Sequence, residues 1–125
     1  MLTRRDVLKG GMAAGVAGLF GSARTASAAA PQPVTKVSFD IPPGACDCHV
    51  HVFGDLKKYP FFAGRTYTPE VASADELRQL LSALRLERVV IVQPSVYGTD
   101  NTCTLDGMRA LGDRARGVAV SGGSK

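Results

Sequence analysis

The run Arg88-Val89-Val90-Ile91-Val92-Gln93 constrains the fold of this chain more than any other sequence feature. Its central residues are all β-branched, and no polar residue interrupts them. A strand with one face in water alternates apolar and polar side chains, whereas a strand covered on both faces does not. The run therefore predicts a central strand of a parallel sheet that has helices packed outside it.

A helix is predicted directly before this strand. Ser73 and Glu76 have the spacing of a capping box, in which each side chain satisfies the backbone N–H of the other residue. Leucines then recur at intervals of three and four residues and give the helix one apolar face as far as about Leu86. They are Leu77, Leu80, Leu81 and Leu84. This helix can therefore cover one face of the sheet.

Two more strands and a second helix complete the predicted order. The first strand covers 44–52, the second helix covers 102–113 and the third strand covers 115–120. Glycine, proline and aromatic residues over 53–71 predict a long ordered loop, and 94–101 predicts a second loop. The resulting β-loop-α-β-loop-α-β order is the repeat of an α/β fold.

The first 28 residues are predicted to be an export signal of the twin-arginine type. Arg4 and Arg5 precede a glycine- and alanine-rich segment over 10–21, and Ala26-Ser27-Ala28 is a small-x-small cleavage site. The apolar segment is shorter than the roughly 20 residues that a stable membrane span needs. We therefore expect recognition by the twin-arginine export machinery, cleavage near Ala28, and a periplasmic or exported protein without a stable membrane span.

Charge and cysteine content narrow the range of partners. The chain has 15 Lys and Arg and 11 Asp and Glu, a net charge of +4. The predicted signal holds four bases and one acid, which leaves 11 bases and 10 acids, a net charge of +1. Since no basic patch with interleaved aromatic residues is present, nucleic acid is not an expected partner. Cys46, Cys48 and Cys103 do not form a disulfide framework and are expected to be buried thiols.

The segment Asp47-Cys48-His49-Val50-His51 contains the only two histidines of the chain. Because side chains alternate along a strand, we expect Asp47, His49 and His51 to share one face. Three polar groups in a row on a buried strand are costly unless something satisfies them. The residues alone leave three interpretations open: a metal site, a site for an anionic substrate, and core histidines hydrogen-bonded to the backbone.

The segment 44–54, Gly-Ala-Cys-Asp-Cys-His-Val-His-Val-Phe-Gly, resembles the opening strand of the amidohydrolase superfamily. It is most similar to the amidohydrolase-related group that includes 2-pyrone-4,6-dicarboxylate lactonase. Four further segments match that group in order: 59–61, 65–69, 90–101 and 116–120. The resemblance implies a (β/α)₈ barrel with its active site at the carboxyl ends of the strands.

By this resemblance His49 and His51 are catalytic. They either bind one divalent metal, Zn or Mn, or polarise the substrate carbonyl without a metal. Both versions hydrolyse a lactone or ester of a small carboxylated molecule. Tyr67 and Ser95 match positions that hold a substrate carboxylate, although a packed loop anchor and a turn residue are the alternatives for them. Asp47 is expected to accept a hydrogen bond from one of the histidines and to support it, without itself taking part in the reaction.

The resemblance also sets an expected size. A (β/α)₈ barrel needs about 250 residues, and removal of 28 of the 125 residues leaves 97. We expect a linker over 29–43, the N-terminal part of a barrel with about three strands and two helices over 44–120, and a polar tail over 121–125. This chain by itself is expected to be poorly folded and inactive. Alternatives are a non-catalytic truncated product, or a metal-dependent decarboxylase or amide hydrolase of the same superfamily.

Overall fold

A computed structural model of the protein describes residues 30–122. The predicted signal over 1–28 and the last part of the predicted tail, 123–125, lie outside the described residues. The regular elements are β1 (Cys46–Val50), α1 (Ala74–Ala83), β2 (Arg88–Val92), α2 (Thr102–Leu111) and β3 (Ala115–Val118). This is the predicted order of elements, so the α/β assignment is confirmed.

The three strands form one parallel sheet in which β2 lies between β1 and β3. The hydrophobic core contains Val89 and Ile91 of β2, which are 1% and 0% exposed, and Leu81 of α1, which is 0% exposed. Val52, just after β1, and Leu111 of α2 belong to the same cluster. Since β2 contributes alternate residues to this core, α1 and α2 cover one face of the sheet, as in the first βα units of a barrel.

The predicted capping box opens α1. The Ser73 Oγ atom accepts a hydrogen bond from the Glu76 N–H at 3.2 Å, and Glu76 Oε2 accepts one from the Ser73 N–H at 2.7 Å. The helix ends at Ala83, earlier than predicted, because Arg85 has a φ of 56°. A residue in that left-handed conformation cannot continue a right-handed helix. Similarly, Gly112 has a φ of 62° at the end of α2.

The third strand is shorter than predicted, because beyond Val118 the Asn101 side chain takes the place of the backbone hydrogen bonds to β2. The strand pairs with β2 as far as Val118, where the carbonyl oxygen accepts a hydrogen bond from the Gln93 N–H at 2.8 Å. Val120 instead pairs with the Asn101 side-chain amide through two hydrogen bonds of 2.9 Å, one in each direction. Asn101 therefore fixes the chain that leaves β3.

The loop between β1 and α1 is ordered, as predicted. Phe53 and Ala72 form an isolated antiparallel bridge at its two ends, with two N–H···O hydrogen bonds of 2.8 Å. Farther along, the Phe62 N–H donates to the Val96 carbonyl oxygen at 2.7 Å. The loop is therefore closed at its base and attached to the segment that follows β2.

The part of the predicted linker that the structure describes is attached to α1. The Ala30 N–H donates to Glu76 Oε1 at 2.9 Å, and Gln32 Nε2 donates to the Glu76 carbonyl oxygen at 3.1 Å. At the other end of the helix, Arg85 Nη2 donates to the Val37 carbonyl oxygen at 3.3 Å. None of the helices within residues 30–122 has the length and apolar character required to cross a membrane.

Candidate functional site

The strand that carries both histidines is irregular. Asp47 pairs with Val89, and Val50 pairs with Ile91, so three steps along β1 match two steps along β2. An extra residue of this kind interrupts the alternation of faces. The expected shared face of Asp47 and both histidines assumed strict alternation, and that expectation is wrong across this irregularity. Asp47 instead pairs with a β2 residue whose side chain lies in the core.

The two imidazole rings nevertheless lie next to each other. Their centroids are 5.2 Å apart and their planes meet at 85°, an edge-to-face arrangement. His51 is half-buried, and its Nδ1 atom lies 2.8 Å from the carbonyl oxygen of Val92, the last residue of β2. The pair is therefore at the carboxyl ends of the strands, which is the end that holds the active site in barrel enzymes.

The contact with Val92 determines which ring nitrogen of His51 carries a proton. A carbonyl oxygen can only accept a hydrogen bond, so Nδ1 must donate. In the neutral imidazole the lone pair is then on Nε2. That nitrogen is able to accept a proton or to bind a metal ion, and the hydrogen bond at Nδ1 fixes the orientation of the ring.

Asp47 contacts His49 through the main chain. Its Oδ1 atom accepts a hydrogen bond from the His49 N–H at 3.1 Å. The carboxylate thus supports the irregular strand segment that carries the exposed His49 side chain, and this hydrogen bond does not involve the imidazole. Asp47 therefore acts on the position of the His49 backbone.

The predicted carboxylate-binding residues lie on two loops. Ser95 is exposed and opens a 3₁₀ turn, Ser95–Tyr97, shortly after the Val92 that binds His51. Tyr67 is 45% exposed and lies in the loop between β1 and α1. No hydrogen bond within residues 30–122 joins Tyr67 to Ser95 or to a histidine. The structure therefore brings the two histidines together and leaves both hydroxyl groups accessible to solvent.

The residues available for a metal ion form an incomplete set. Imidazole nitrogens are suitable ligands for Zn, whereas Mn prefers oxygen ligands, and a catalytic zinc site takes three protein ligands. Within residues 30–122 no group of three His, Cys, Asp or Glu side chains is arranged to hold a metal ion. His49 and His51 by themselves therefore do not make a complete metal site.

The three cysteines are free, but they are not all buried. Cys103 is 5% exposed, and its Sγ atom lies 3.7 Å from the Val52 carbonyl oxygen, as expected for a buried thiol. Cys48 is exposed and Cys46 is half-buried. The expectation that all three are buried is wrong, because β1 is an edge strand of the described sheet and its side chains are not all covered by the helices.

Sequence reasoning missed a buried glutamine that organises the loop after β2. Gln93 is 6% exposed, its Oε1 atom accepts a hydrogen bond from Thr104 Oγ1 at 2.5 Å, and its Nε2 atom donates to the Asp100 carbonyl oxygen at 2.8 Å. Thr104 lies on α2 and is 1% exposed. The available signal was a polar residue at the end of a buried apolar run, since such a residue needs hydrogen-bonding partners.

Tyr97 is a second residue without a predicted role. It is 3% exposed, and its hydroxyl oxygen accepts a hydrogen bond from the Gly54 N–H at 3.1 Å. Burial raises the pKa of this hydroxyl above its ordinary value. The Tyr97 ring lies 6.5 Å from the Phe53 ring and 5.3 Å from the Phe61 ring, measured between centroids. Tyr97 therefore joins the loop after β1 to the turn after β2.

This geometry agrees with the family to which the sequence is related. A family model described as amidohydrolase matches residues 46–125, more than half of the chain. The chain belongs to the amidohydrolase family. A second model, for the signal sequence of the twin-arginine translocation pathway, matches residues 1–21, so this amidohydrolase chain carries a twin-arginine export signal.

Relatives of this amidohydrolase chain include two kinds of named hydrolase. The 4-sulfomuconolactone hydrolase of Hydrogenophaga intermedia is 44% identical over 73 residues, which cover 58% of this chain and 24% of that protein. The 2-pyrone-4,6-dicarboxylate hydrolase of Comamonas testosteroni is 42% identical over 86 residues, which cover 69% of this chain and 28% of that protein. The chain thus spans about a quarter of the length of these curated relatives.

Solved structures support the same fold. A probable 2-pyrone-4,6-dicarboxylic acid hydrolase from Acinetobacter baumannii, with citric acid bound, aligns with a TM-score of 0.59 at 29% identity, over 63% of this chain and 29% of that chain. An apo structure of an Agrobacterium tumefaciens protein aligns with a TM-score of 0.57 at 30% identity, over 64% and 29%. The predicted assignment to the first part of a (β/α)₈ barrel is confirmed.

Proposed function

We propose that this chain supplies His49 and His51 to the active site of a hydrolase that opens a lactone or ester bond in a small carboxylated molecule. One observation carries the proposal: the two imidazoles meet edge to face at the carboxyl end of β1, and the Val92 carbonyl holds His51 with Nε2 available for chemistry. The names of the relatives, which are lactone hydrolases, support the type of bond that is cleaved.

The proposed chemistry uses the charged form of His51 as a hydrogen-bond donor. When the ring is charged, Nε2 donates to the carbonyl oxygen of the ester while Nδ1 remains bonded to Val92. Water adds to the polarised carbonyl carbon, and negative charge develops on the oxygen that faces the imidazole. Collapse of this intermediate breaks the C–O bond, the leaving oxygen takes up the proton that the attacking water gives up, and the new carboxylic acid releases its remaining proton to solvent. The products are a carboxylate and an alcohol.

His49 is placed to contact the same carbonyl group or the attacking water, because its ring adjoins that of His51. A divalent metal, held by both histidines together with further ligands, would supply Lewis-acid polarisation of the carbonyl. Ser95 and Tyr67 offer hydroxyl donors on the two loops, and we assign them to a carboxylate group of the substrate. Both side chains are exposed, as an incoming ligand requires.

The twin-arginine signal indicates export across the cytoplasmic membrane. We propose that the signal is cleaved near Ala28 and that the mature protein acts in the periplasm, with the segment 29–43 joining the cleavage site to β1. N-terminal sequencing of the protein recovered from the periplasm tests this proposal. A mature chain that still contains the twin-arginine pair would contradict it.

The catalytic proposal is best tested in a barrel of full length. Residues 46–118 of this chain would replace the matching segment of the Hydrogenophaga intermedia 4-sulfomuconolactone hydrolase, and hydrolysis of the lactone would be measured. We expect activity, and we expect His49→Asn and His51→Asn each to lower kcat/KM by about 100-fold or more. The control Gln79→Asn alters an exposed residue of α1 and should leave kcat/KM nearly unchanged.

A folded chimera in which both histidine variants keep the activity of the parent would contradict the assignment of the histidines. Circular dichroism and thermal unfolding of each variant would establish that it is folded. The same lactone assay on the 125-residue chain by itself tests the separate expectation that this polypeptide is inactive alone.

A further inference from the structure

We infer that Arg65 forms a carboxylate-binding subsite at the mouth of the barrel. The inference rests on the proposed function, because it names a group that would recognise the acidic substituent of the substrate. Arg65 is exposed and lies in the loop between β1 and α1, two residues before Tyr67.

Arg65 is linked through Phe62 to the turn that follows β2. The Phe62 carbonyl oxygen accepts hydrogen bonds from the Arg65 N–H at 3.2 Å and from Arg65 Nη1 at 3.3 Å. The N–H of the same Phe62 donates to the Val96 carbonyl oxygen at 2.7 Å. Val96 is the neighbour of Ser95 in the 3₁₀ turn. One residue, Phe62, therefore links Arg65 to the turn that presents Ser95.

The guanidinium is held in place but keeps most of its donors. Nε donates to Thr68 Oγ1 at 3.0 Å, and Cζ lies 5.6 Å from the centroid of the Phe61 ring, so stacking and hydrogen bonding orient the planar group. A guanidinium has five N–H donors. The contacts with Thr68 and Phe62 use two of them, which leaves both donors of Nη2 and one of Nη1.

The charge of Arg65 has no carboxylate partner within residues 30–122. The ion pairs of that part of the chain involve other cations, namely Lys58, Arg78 and Arg109. An oriented guanidinium with a free edge is the side chain best suited to bind a carboxylate through two parallel hydrogen bonds. Arg65, Tyr67 and Ser95 thus present guanidinium, phenol and hydroxyl donors on the loops that follow β1 and β2.

Citrate is a suitable probe because it offers three carboxylates and is bound in the Acinetobacter baumannii relative. We would titrate citrate into the folded chimeric barrel, which carries residues 46–118 of this chain, and follow the backbone amide resonances by NMR. Shifts are expected over 61–68 and 95–98. We expect Arg65→Gln to weaken citrate binding about tenfold or more. Arg65→Lys should have a smaller effect, since lysine keeps the positive charge but lacks the paired N–H donors of the planar guanidinium.

Arg85→Gln is the matched control. Arg85 also donates to main-chain carbonyl oxygens, those of Val37 and Phe39, but it lies after the end of α1, at the opposite end of the sheet from the loops. Its substitution should leave citrate affinity unchanged. The inference is overturned if Arg65→Gln binds citrate as tightly as the parent, if the parent does not bind citrate, or if the shifts map instead to the start of β2 near Arg88.

Failure of this inference can be separated from failure of the proposed function. In the chimeric barrel, Arg65→Gln should raise KM for the anionic lactone with little change in kcat, whereas the histidine variants lower kcat/KM by loss of chemistry. If the histidines prove essential and Arg65→Gln leaves KM unchanged, the proposed function is supported and the carboxylate-binding role of Arg65 is contradicted. If the histidine variants remain active while Arg65→Gln still weakens citrate binding, the subsite stands and the catalytic assignment fails.

Discussion

His51 and Val92 are joined by a hydrogen bond of 2.8 Å from the Nδ1 atom of the imidazole to the main-chain oxygen at the end of the neighbouring strand. The contact links β1 to β2 through a side chain, beyond the point where the ladder between the two strands ends. Because backbone atoms of a buried strand are well fixed, this contact sets both the direction of the ring and the location of its proton.

The first prediction concerns the tautomer of His51. Nitrogen-15 NMR of the neutral side chain should show a protonated Nδ1 and an unprotonated Nε2, because the carbonyl partner can only accept. His49 provides an internal comparison in the same spectra, since these are the only two histidines of the chain. A neutral His51 that carries its proton on Nε2 would contradict the hydrogen bond from Nδ1 to the Val92 carbonyl oxygen, and with it the orientation assigned to the ring.

The second prediction concerns Ser95 and Tyr67. In the chimeric barrel, Ser95→Ala and Tyr67→Phe each remove one hydroxyl donor from an exposed loop position. We expect each to raise KM for the anionic lactone about 10- to 100-fold, because hydrogen bonds to a charged group are worth about 1.5–3 kcal/mol. Steady-state kinetics check this, with Ser82→Ala on the exposed surface of α1 as the control. Unchanged KM values in both variants would remove these residues from the site.

The third prediction concerns Gln93. Replacement by leucine would leave the buried hydroxyl of Thr104 and the carbonyl of Asp100 without their partner. We expect a loss of about 1–3 kcal/mol in the free energy of unfolding, since one unsatisfied buried group, the Thr104 hydroxyl, costs about that much, whereas water can reach the exposed Asp100. Urea denaturation measures this loss. The control Gln79→Leu, at an exposed position of α1, should change stability by no more than about 0.5 kcal/mol.

The fourth prediction concerns acid stability and Glu76. Hydrogen bonds from the Ser73 N–H, the Ser73 hydroxyl and the Ala30 N–H hold the pKa of this carboxyl below its ordinary value of 4.5. A carboxylate with a lowered pKa in the folded state contributes stability above its unfolded pKa, and the contribution is lost as the pH falls through the folded pKa. Stability should therefore decrease as the pH falls below 4.5.

Glu76→Gln should lower the stability near neutral pH and flatten its decrease in acid. Chemical denaturation at a series of pH values measures both effects. Glu70→Gln is the control, because Glu70 is an exposed residue in the loop before α1. A Glu76→Gln protein whose stability follows the same pH curve as the parent would show that the three hydrogen bonds do not carry the acid dependence.

Much of the fold followed from local chemistry. The capping box of Ser73 and Glu76 located the start of α1, and the β-branched run identified β2 as the central strand of a parallel sheet. In the described residues the helices cover only one face of β2, and Val90 and Val92 on the other face are half-buried. The ends of the elements were predicted less accurately. Arg85 ends α1 by adopting a left-handed backbone conformation, which an arginine in the sequence does not predict. The histidines were found as candidates from their spacing, but the spacing also predicted a shared face for Asp47, and the extra residue in β1 removes it.

The sequence by itself determined the α/β order, the twin-arginine signal and the two histidines as the candidate pair, since each depends on residues that are neighbours in the chain. Only the tertiary structure decided which nitrogen of His51 is free, because the group that orients it lies 41 residues away on another strand. It likewise decided that Phe62 joins Arg65 to the turn after β2. Contacts between distant segments depend on strand register and loop closure, which local patterns do not encode.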